Sequence, residues 1–272
     1  MLKPLKFLGQ NYLQDKNILN KIAEAINIKK EDLILEIGPG TGALTEFILK
    51  YKPKKLIAID IDHRVQDTLK QRFKENFDNN FNFVLGDITK FNIVEKFNIE
   101  NNCKIKVCGN IPYYLTANIL FYIIENRNNI SSCILMIQKE VAQRIVAEYN
   151  NKNYGILSVI LQLCSNVKIL FDVSPNCFYP KPKVMSSVLK IDFFHPLQLE
   201  YFDEFVVFVK TIFNKRRKII KNNFDKELEK LLSNSNTNDF IKINISRRAE
   251  ELSPLEIYKL FIEIKKINGF VQ

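Results

Sequence analysis

Through the first two thirds of the chain, short apolar runs alternate with segments whose apolar residues recur at helical spacing. Leu33 to Gly38 is such a run, followed by Pro39-Gly40-Thr41-Gly42 and then by Ala43, Leu44, Phe47 and Ile48. This pattern predicts a strand, a glycine loop and a helix. Lys55 to Asp60 predicts a second strand, and Val65, Leu69 and Phe73, spaced four apart, give one apolar face to a helix over His63 to Asn76. A third strand, Phe81 to Leu85, ends at Gly86-Asp87. The fourth, Ile105 to Cys108, ends at Gly109-Asn110-Ile111-Pro112-Tyr113 before a helical stretch from Thr116 to Glu125, and the fifth, Cys133 to Ile137, leads into a helix over Lys139 to Glu148. Alternation of this kind predicts an α/β fold with a parallel sheet covered on both faces and ligands at the carboxyl ends of the strands. Lys168 to Val173 and Ser187 to Phe193, separated by a Pro-containing loop and no helix, predict a closing strand pair and an antiparallel edge.

Near His195-Pro196 the strand character stops. From Phe202 the pattern is helical: Phe205, Phe208, Val209 and Ile212, then Leu228, Leu231 and Leu232, then Leu255, Tyr258, Leu260 and Phe261. Ser253-Pro254 with Glu256 reads as a helix start, and Ser233 to Asn238 as a polar loop between helices. The expected organisation is a larger α/β domain over 1–198 and a small all-helical domain over 199–272.

At 272 residues and 46% hydrophobic content the chain has ample material for a core. Its net charge of +10 favours a polyanionic partner without identifying one. The excess is shared along the chain, since residues 195–272 hold 14 basic against 11 acidic residues. It becomes dense at Lys215-Arg216-Arg217-Lys218, a run that reads equally as a solvated face or as a binding surface. The five cysteines form no C-x-x-C pair and have no neighbouring His, which argues against a zinc site or a disulfide framework and predicts reduced core thiols. No signal-peptide pattern and no apolar run of membrane-spanning length is present, so a soluble, cytoplasmic protein is expected.

The glycine loop, Glu36-Ile37-Gly38-Pro39-Gly40-Thr41-Gly42, lets backbone approach a ligand that also meets the next helix's N-terminus. Asp60, 20 residues after Gly40 at the end of the second strand, is placed to accept hydrogen bonds from two ribose hydroxyls. This pair alone fits a nicotinamide dinucleotide as well as a methyl donor. Two features argue against the dinucleotide: the loop lacks the G-x-x-G phosphate spacing, and Pro39 removes an amide donor that a pyrophosphate would use. A third acid, Asp87, ends the third strand and would suit the amine of an adenine ring.

Asn110-Ile111-Pro112-Tyr113 is the most informative motif. The exocyclic nitrogen of adenine is a poor nucleophile because its lone pair is delocalised into the ring, so two acceptors aimed at its hydrogens would draw it toward tetrahedral geometry. The Asn110 side-chain oxygen supplies one. Pro112 biases Ile111 to an extended conformation that can point the Ile111 carbonyl inward as the other, and Tyr113 offers a stacking face for the base. Transfer from a sulfonium needs positioning more than a strong base, which fits a chain whose two histidines, His63 and His195, lie in no motif. In Phe178-Tyr179-Pro180-Lys181-Pro182-Lys183-Val184, Phe178 is a candidate to sandwich the base opposite Tyr113, with Lys181 and Lys183 on phosphates.

These motifs, with Leu8-Gly9-Gln10-Asn11-Tyr12-Leu13, Gln138 to Arg144, Tyr154-Gly155 and Phe213 to Lys218, resemble nearly end to end the bacterial small-subunit (16S) ribosomal RNA adenine dimethyltransferases of the KsgA type. These share ancestry with the Erm macrolide-resistance methyltransferases. The resemblance implies a class I, Rossmann-like, S-adenosylmethionine-dependent methyltransferase with a helical C-terminal rRNA-binding domain. It implies dimethylation at N6 of two adjacent adenosines near the rRNA 3′ end, on an immature 30S subunit, by a monomer without a metal. It also implies that Asn11, Leu13, Gly38, Asp60, Asp87 and Asn110 line the donor site; Gly40 joins them from the loop reading, and Asn11 and Leu13 rest on the resemblance alone. Tyr12 stands where Phe is usual and Asp60 where Glu is common. Gly9 and the Pro180 to Val184 run favour the KsgA over the Erm type, and DNA adenine methyltransferases usually carry Pro where Ile111 stands. A non-catalytic ribosome-assembly factor on the same fold is the other alternative.

Overall fold

The computed structural model describes residues 2–99, 103–194, 199–224, 226 and 238–267. It divides into two compact units, Met1–Ala142 with Val167–His195, and Gln143–Asn166 with Pro196–Gln272. The sequence division at residue 198 falls close to the last of three crossings between the units. The first comes earlier: the chain leaves the sheet-bearing unit at 142, contributes an apolar helix to the other, and returns at 167.

In the first unit, β1 (Tyr12–Leu13) precedes α1 (Lys16–Ile26), β2 (Leu33–Ile37), α2 (Ala43–Lys50), β3 (Lys55–Asp60), α3 (Arg64–Arg72), β4 (Phe81–Leu85), α4 (Ile93–Phe97), β5 (Ile105–Asn110), α5 (Thr116–Glu125) and β6 (Ile130–Gln138), and α6 (Lys139–Ile145) runs across the boundary at Ala142. After α7 (Ile156–Cys164) come β7 (Ser165–Val173), β8 (Phe178–Tyr179) and β9 (Ser186–Phe193). Seven strands form one sheet in the order β4-β3-β2-β5-β6-β9-β7. Neighbours from β4 to β6 are parallel, and β9 runs antiparallel to β6, so the expected antiparallel edge is present. Strand order reverses between β2 and β5, which opens a crevice at their carboxyl ends.

Every residue of β2 is buried, as befits a strand covered on both faces. Ile34, Leu56, Cys108 and Ile134 face one layer together with Leu19, Ile22, Ala23 and Ile26 of α1. That helix is begun by Asp15, whose carboxylate accepts the amides of Asn17 and Ile18. Where β5 passes β2, only glycine fits, because a Cβ on Gly109 would lie 2.3 Å from the Ile37 carbonyl oxygen.

In the second unit, α7 buries Val159, Ile160 and Leu161, and α8 (Phe202–Ile212) buries Phe205, Val209 and Ile212. Two further helices, α9 (Asp239–Ile245) and α10 (Pro254–Ile267), complete its described part, with Phe205 edge-on to Tyr258 and Phe261 at 5.3 and 5.6 Å. The start expected at Ser253-Pro254 is the observed one: the Glu256 carboxylate accepts the Ser253 amide and hydroxyl. The expected helical stretch through Leu228, Leu231 and Leu232 lies outside the described residues.

Candidate active site

The crevice between β2 and β5 is an open cleft at the carboxyl ends of these strands. Five segments line it: Leu8 to Tyr12, the glycine loop, Asp60 and Ile61, Gly86 to Ile88, and Asn110 to Leu115. The strand ends thus bring together Asn11, Gly38, Gly40, Asp60, Asp87, Asn110, Ile111, Pro112 and Tyr113. Leu13 lies just beyond, buried beside a smaller adjoining cavity that Glu36 and Asn110 also line.

Gly40 turns the loop at φ 53°, and a Cβ there would come within 2.7 Å of the Tyr12 ring, so backbone alone can pass under that aromatic lid. Beneath the loop, Glu36 is fully buried and accepts a 2.7 Å hydrogen bond from Thr45 Oγ1; burial pushes its carboxyl up to about 7. Asp60, at the end of β3, is raised above the ordinary carboxylate range by burial, while backbone amides, that of Asp62 at 3.0 Å among them, act in the opposite direction. Asp87 caps the turn after β4 through one oxygen, accepting from Thr89 N and Oγ1 at 2.9 Å each, and its Oδ2 has no partner among the described residues.

On the opposite wall, Asn110 Nδ2 donates to the Asn11 carbonyl at 2.8 Å. Neither Asn110 Oδ1 nor the Ile111 carbonyl has a hydrogen-bond partner among the described residues, while the Ile111 amide is tied to Met136 O at 3.3 Å. Tyr113 is half-buried, and its hydroxyl shares a 2.7 Å hydrogen bond with Ser186 Oγ, which fixes the ring plane. This wall can offer two acceptors and one aromatic face.

Phe178 does not join them. Its side chain is 5% exposed and packs in the core with Leu13 and Val173, paired to Leu13 across β1 and β8. Successive strand residues point to opposite faces, so burying Phe178 leaves Tyr179 57% exposed. The sandwich partner expected at Phe178 is therefore a core residue. Sequence reading also missed Gln10, Asp62 and Arg64, which interlock behind the cleft. Asp62 is buried, and its carboxylate takes Arg64 Nε at 2.9 Å and Gln10 Nε2 at 2.9 Å; the guanidinium holds that carboxyl down to about 2. Tyr12 donates to Gln10 Oε1 at 2.8 Å, and burial beside these carboxylates pushes its phenol up to about 12. The local signals were the Asp60-x-Asp62 spacing and the place of Gln10 in the Leu8 to Leu13 motif.

In the second unit, Arg216 pairs with Glu250 at 2.8 Å and also donates to the Lys152 carbonyl, and Lys215 Nζ donates to Asn222 O at 3.0 Å. Arg217 and Lys218 are exposed and make no ion pair among the described residues. Half of the basic run is thus structural. No helix among the described residues is long and apolar enough to cross a membrane, and no cluster of three or more His, Cys, Asp or Glu among them could hold a metal ion.

A doubly wound sheet with a glycine loop after its first central strand, an acid ending the next, and a polar-proline-aromatic turn at the switch point define a methyltransferase of the Rossmann-like class. Comparison with known proteins is narrower. The chain belongs to the ribosomal RNA adenine dimethylase family, whose model matches residues 1–266. It is 41% identical over 257 residues to the ribosomal RNA small subunit methyltransferase A of Wigglesworthia glossinidia brevipalpis, covering 93% of this chain and 94% of that one. With the protein of the same name from Mycoplasma mobile it shares 39% over 264 residues, 95% and 97% of the two chains. The crystal structure of a dimethyladenosine transferase from Plasmodium falciparum superposes with a TM-score of 0.79 at 28% identity, over 94% of this chain and 98% of that one. The chain is accordingly an rRNA adenine methyltransferase.

Proposed function

We propose that the chain transfers methyl groups from S-adenosylmethionine to N6 of two adjacent adenosines in the 3′-terminal hairpin loop of small-subunit rRNA, giving N6,N6-dimethyladenosine. It does so as a monomer on an immature 30S subunit in the cytoplasm, and no metal takes part. The observation that carries this reading is the pair of acceptors without partners among the described residues, Asn110 Oδ1 and the Ile111 carbonyl, on residues that line one cleft with Tyr113. Two acceptors match the two hydrogens of an unmethylated adenine amine. The relatives' names support small-subunit rRNA as substrate, and one copy of the chain supplies every lining segment, which supports a monomer.

The residues present fit the donor. The Gly38 to Gly40 backbone leaves room beneath Tyr12, Asp60 would hold the ribose hydroxyls, and Asp87 Oδ2 would accept the donor's adenine amine. When bound, the donor supplies an electrophilic methyl on a sulfonium, a leaving group that needs no acid. Asn110 and Ile111 then orient the target nitrogen and localise its lone pair, and Tyr113 stacks on the base; their fixed geometry supplies the rate. Lys181, Lys183, Arg217 and Lys218 are solvent-facing cations suited to phosphates, and the helical unit is the proposed rRNA-binding region. Incubation with labelled donor and small subunits lacking the modification should label adenosine. Absence of transfer to any adenosine-containing RNA would refute the reading.

A further inference from the structure

An Asn side chain presents its oxygen to a substrate only if something holds its NH2 elsewhere. Here that group is the Asn11 backbone carbonyl, 2.8 Å from Asn110 Nδ2. Turning the amide over would set two acceptors against each other, so the position of one N-terminal carbonyl determines which atom of Asn110 meets the target amine. Asn11 lies just before the two-residue strand Tyr12–Leu13 and has no regular structure of its own to hold it.

What holds it is Gln10. Its Oε1 accepts from Leu5 N at 2.9 Å and from Tyr12 Oη at 2.8 Å, while its Nε2 donates to Asp62 Oδ2 at 2.9 Å. Both acceptor directions of the oxygen and one of the two N–H donors are thus assigned by its neighbours. Asp62 is itself fixed: Arg64 grips it through Nε and the backbone amide on Oδ1, at 2.9 and 3.1 Å, and through Nη2 on Oδ2 at 2.6 Å. Arg64 Nη1 reaches back to the Lys3 carbonyl at 3.2 Å. The Asp62 amide donates to Asp60 Oδ1 at 3.0 Å, so the loop that carries the proposed ribose acceptor also anchors the segment that orients Asn110.

We infer that Gln10 and Asp62 are positioning residues for methyl transfer: their hydrogen bond locks residues 5–12 in place, and the Asn11 carbonyl then sets the Asn110 amide with Oδ1 toward the target amine. This rests on the adenine-N6 reading above. The lock has a definite polarity, since Gln10 donates and Asp62 accepts, and that polarity can be reversed.

The experiment compares wild type, Gln10→Glu and Gln10→Glu/Asp62→Asn at saturating donor on unmodified small subunits, with donor affinity and thermal unfolding measured in parallel. Gln10→Glu sets two carboxylates against each other and should lower kcat about 10- to 100-fold, with KM for the RNA substrate changed less than about threefold. The double variant restores a donor opposite an acceptor between positions 10 and 62 while setting the new amide NH2 at position 62 against Arg64 Nη2, so kcat should rise at least about threefold above that of Gln10→Glu without reaching wild type. If Gln10→Glu does not fold, Gln10→Leu removes the bond without adding charge and should show the same kcat loss. A kcat within twofold of wild type in the folded single variant, a loss confined to KM, or no recovery in the double variant each overturns the positioning role. Absence of adenosine methylation by wild type would instead overturn the underlying reading, so the two failures are separable.

Discussion

The two walls of the cleft are built on opposite rules. On the wall made by the N-terminal segment and the β3 end, polar side chains satisfy one another: Gln10 binds Tyr12 and Asp62, Asp62 binds Arg64, and the Asp62 amide binds Asp60. On the wall made by the β5 end, Asn110 Oδ1 and the Ile111 carbonyl are left without partners among the described residues. Asn110 is half-buried, and acceptors left open on a cleft wall can be met by the donors of a substrate. One wall is for holding, the other for chemistry.

Removing the chemical wall's side chain should have the largest effect. Asn110→Ala is expected to lower transfer about 10³-fold, about 4 kcal/mol of barrier, with donor affinity largely retained. Parallel single-turnover kinetics and calorimetry read the two quantities. An equal loss in both would erase the distinction between the walls.

Next in size is Phe178→Ala, expected to destabilise the fold by about 4 kcal/mol through the cavity left beside Leu13, whereas Tyr179→Ala should stay within about 0.5 kcal/mol. Urea unfolding of both variants checks this. A neutral Phe178→Ala with impaired RNA binding would return Phe178 to the cleft.

Glu36, on β2 beneath the glycine loop, gives the fold that carries both walls a pH dependence. Its carboxyl rises from 4.5 to about 7 on folding, so its contribution is fully favourable below 4.5 and is lost as pH rises through 7. Unfolding of the donor-free protein should therefore show about 3 kcal/mol of stability disappearing across that window, and Glu36→Gln should flatten the curve. An unchanged slope in Glu36→Gln would assign the pH dependence elsewhere. The smallest effect is expected from Tyr113→Phe, which removes the Ser186 hydrogen bond for about 1 kcal/mol while keeping the stacking face, so transfer should fall less than about threefold. A large loss would mean that the hydroxyl itself takes part.

The contrast between the walls also separates what was legible in the sequence from what was not. The glycine loop, Asp60, Asp87 and Asn110 to Tyr113 are local patterns at strand ends, so reading strands in order was enough to gather them at one edge. The locking network is non-local: Gln10 meets Asp62 only after β3 and α3 have folded, and nothing at either position announces the other. Phe178 was misassigned for the same reason, since its burial depends on pairing Leu13 with Phe178 and Tyr12 with Tyr179 across the chain. Helix α1 was different. Asp15 followed by Leu19, Ile22, Ala23 and Ile26 carries both a cap and a periodic face, a pattern that is local and legible in the sequence.

Mass-spectrometric mapping of both ribosomal RNAs after reaction with wild type and Asn110→Ala tests the central claim most directly. The account expects N6,N6-dimethyladenosine at two adjacent positions near the small-subunit 3′ end with wild type, and none with the variant. Methylation confined to large-subunit RNA, or undiminished methylation by Asn110→Ala, would contradict it.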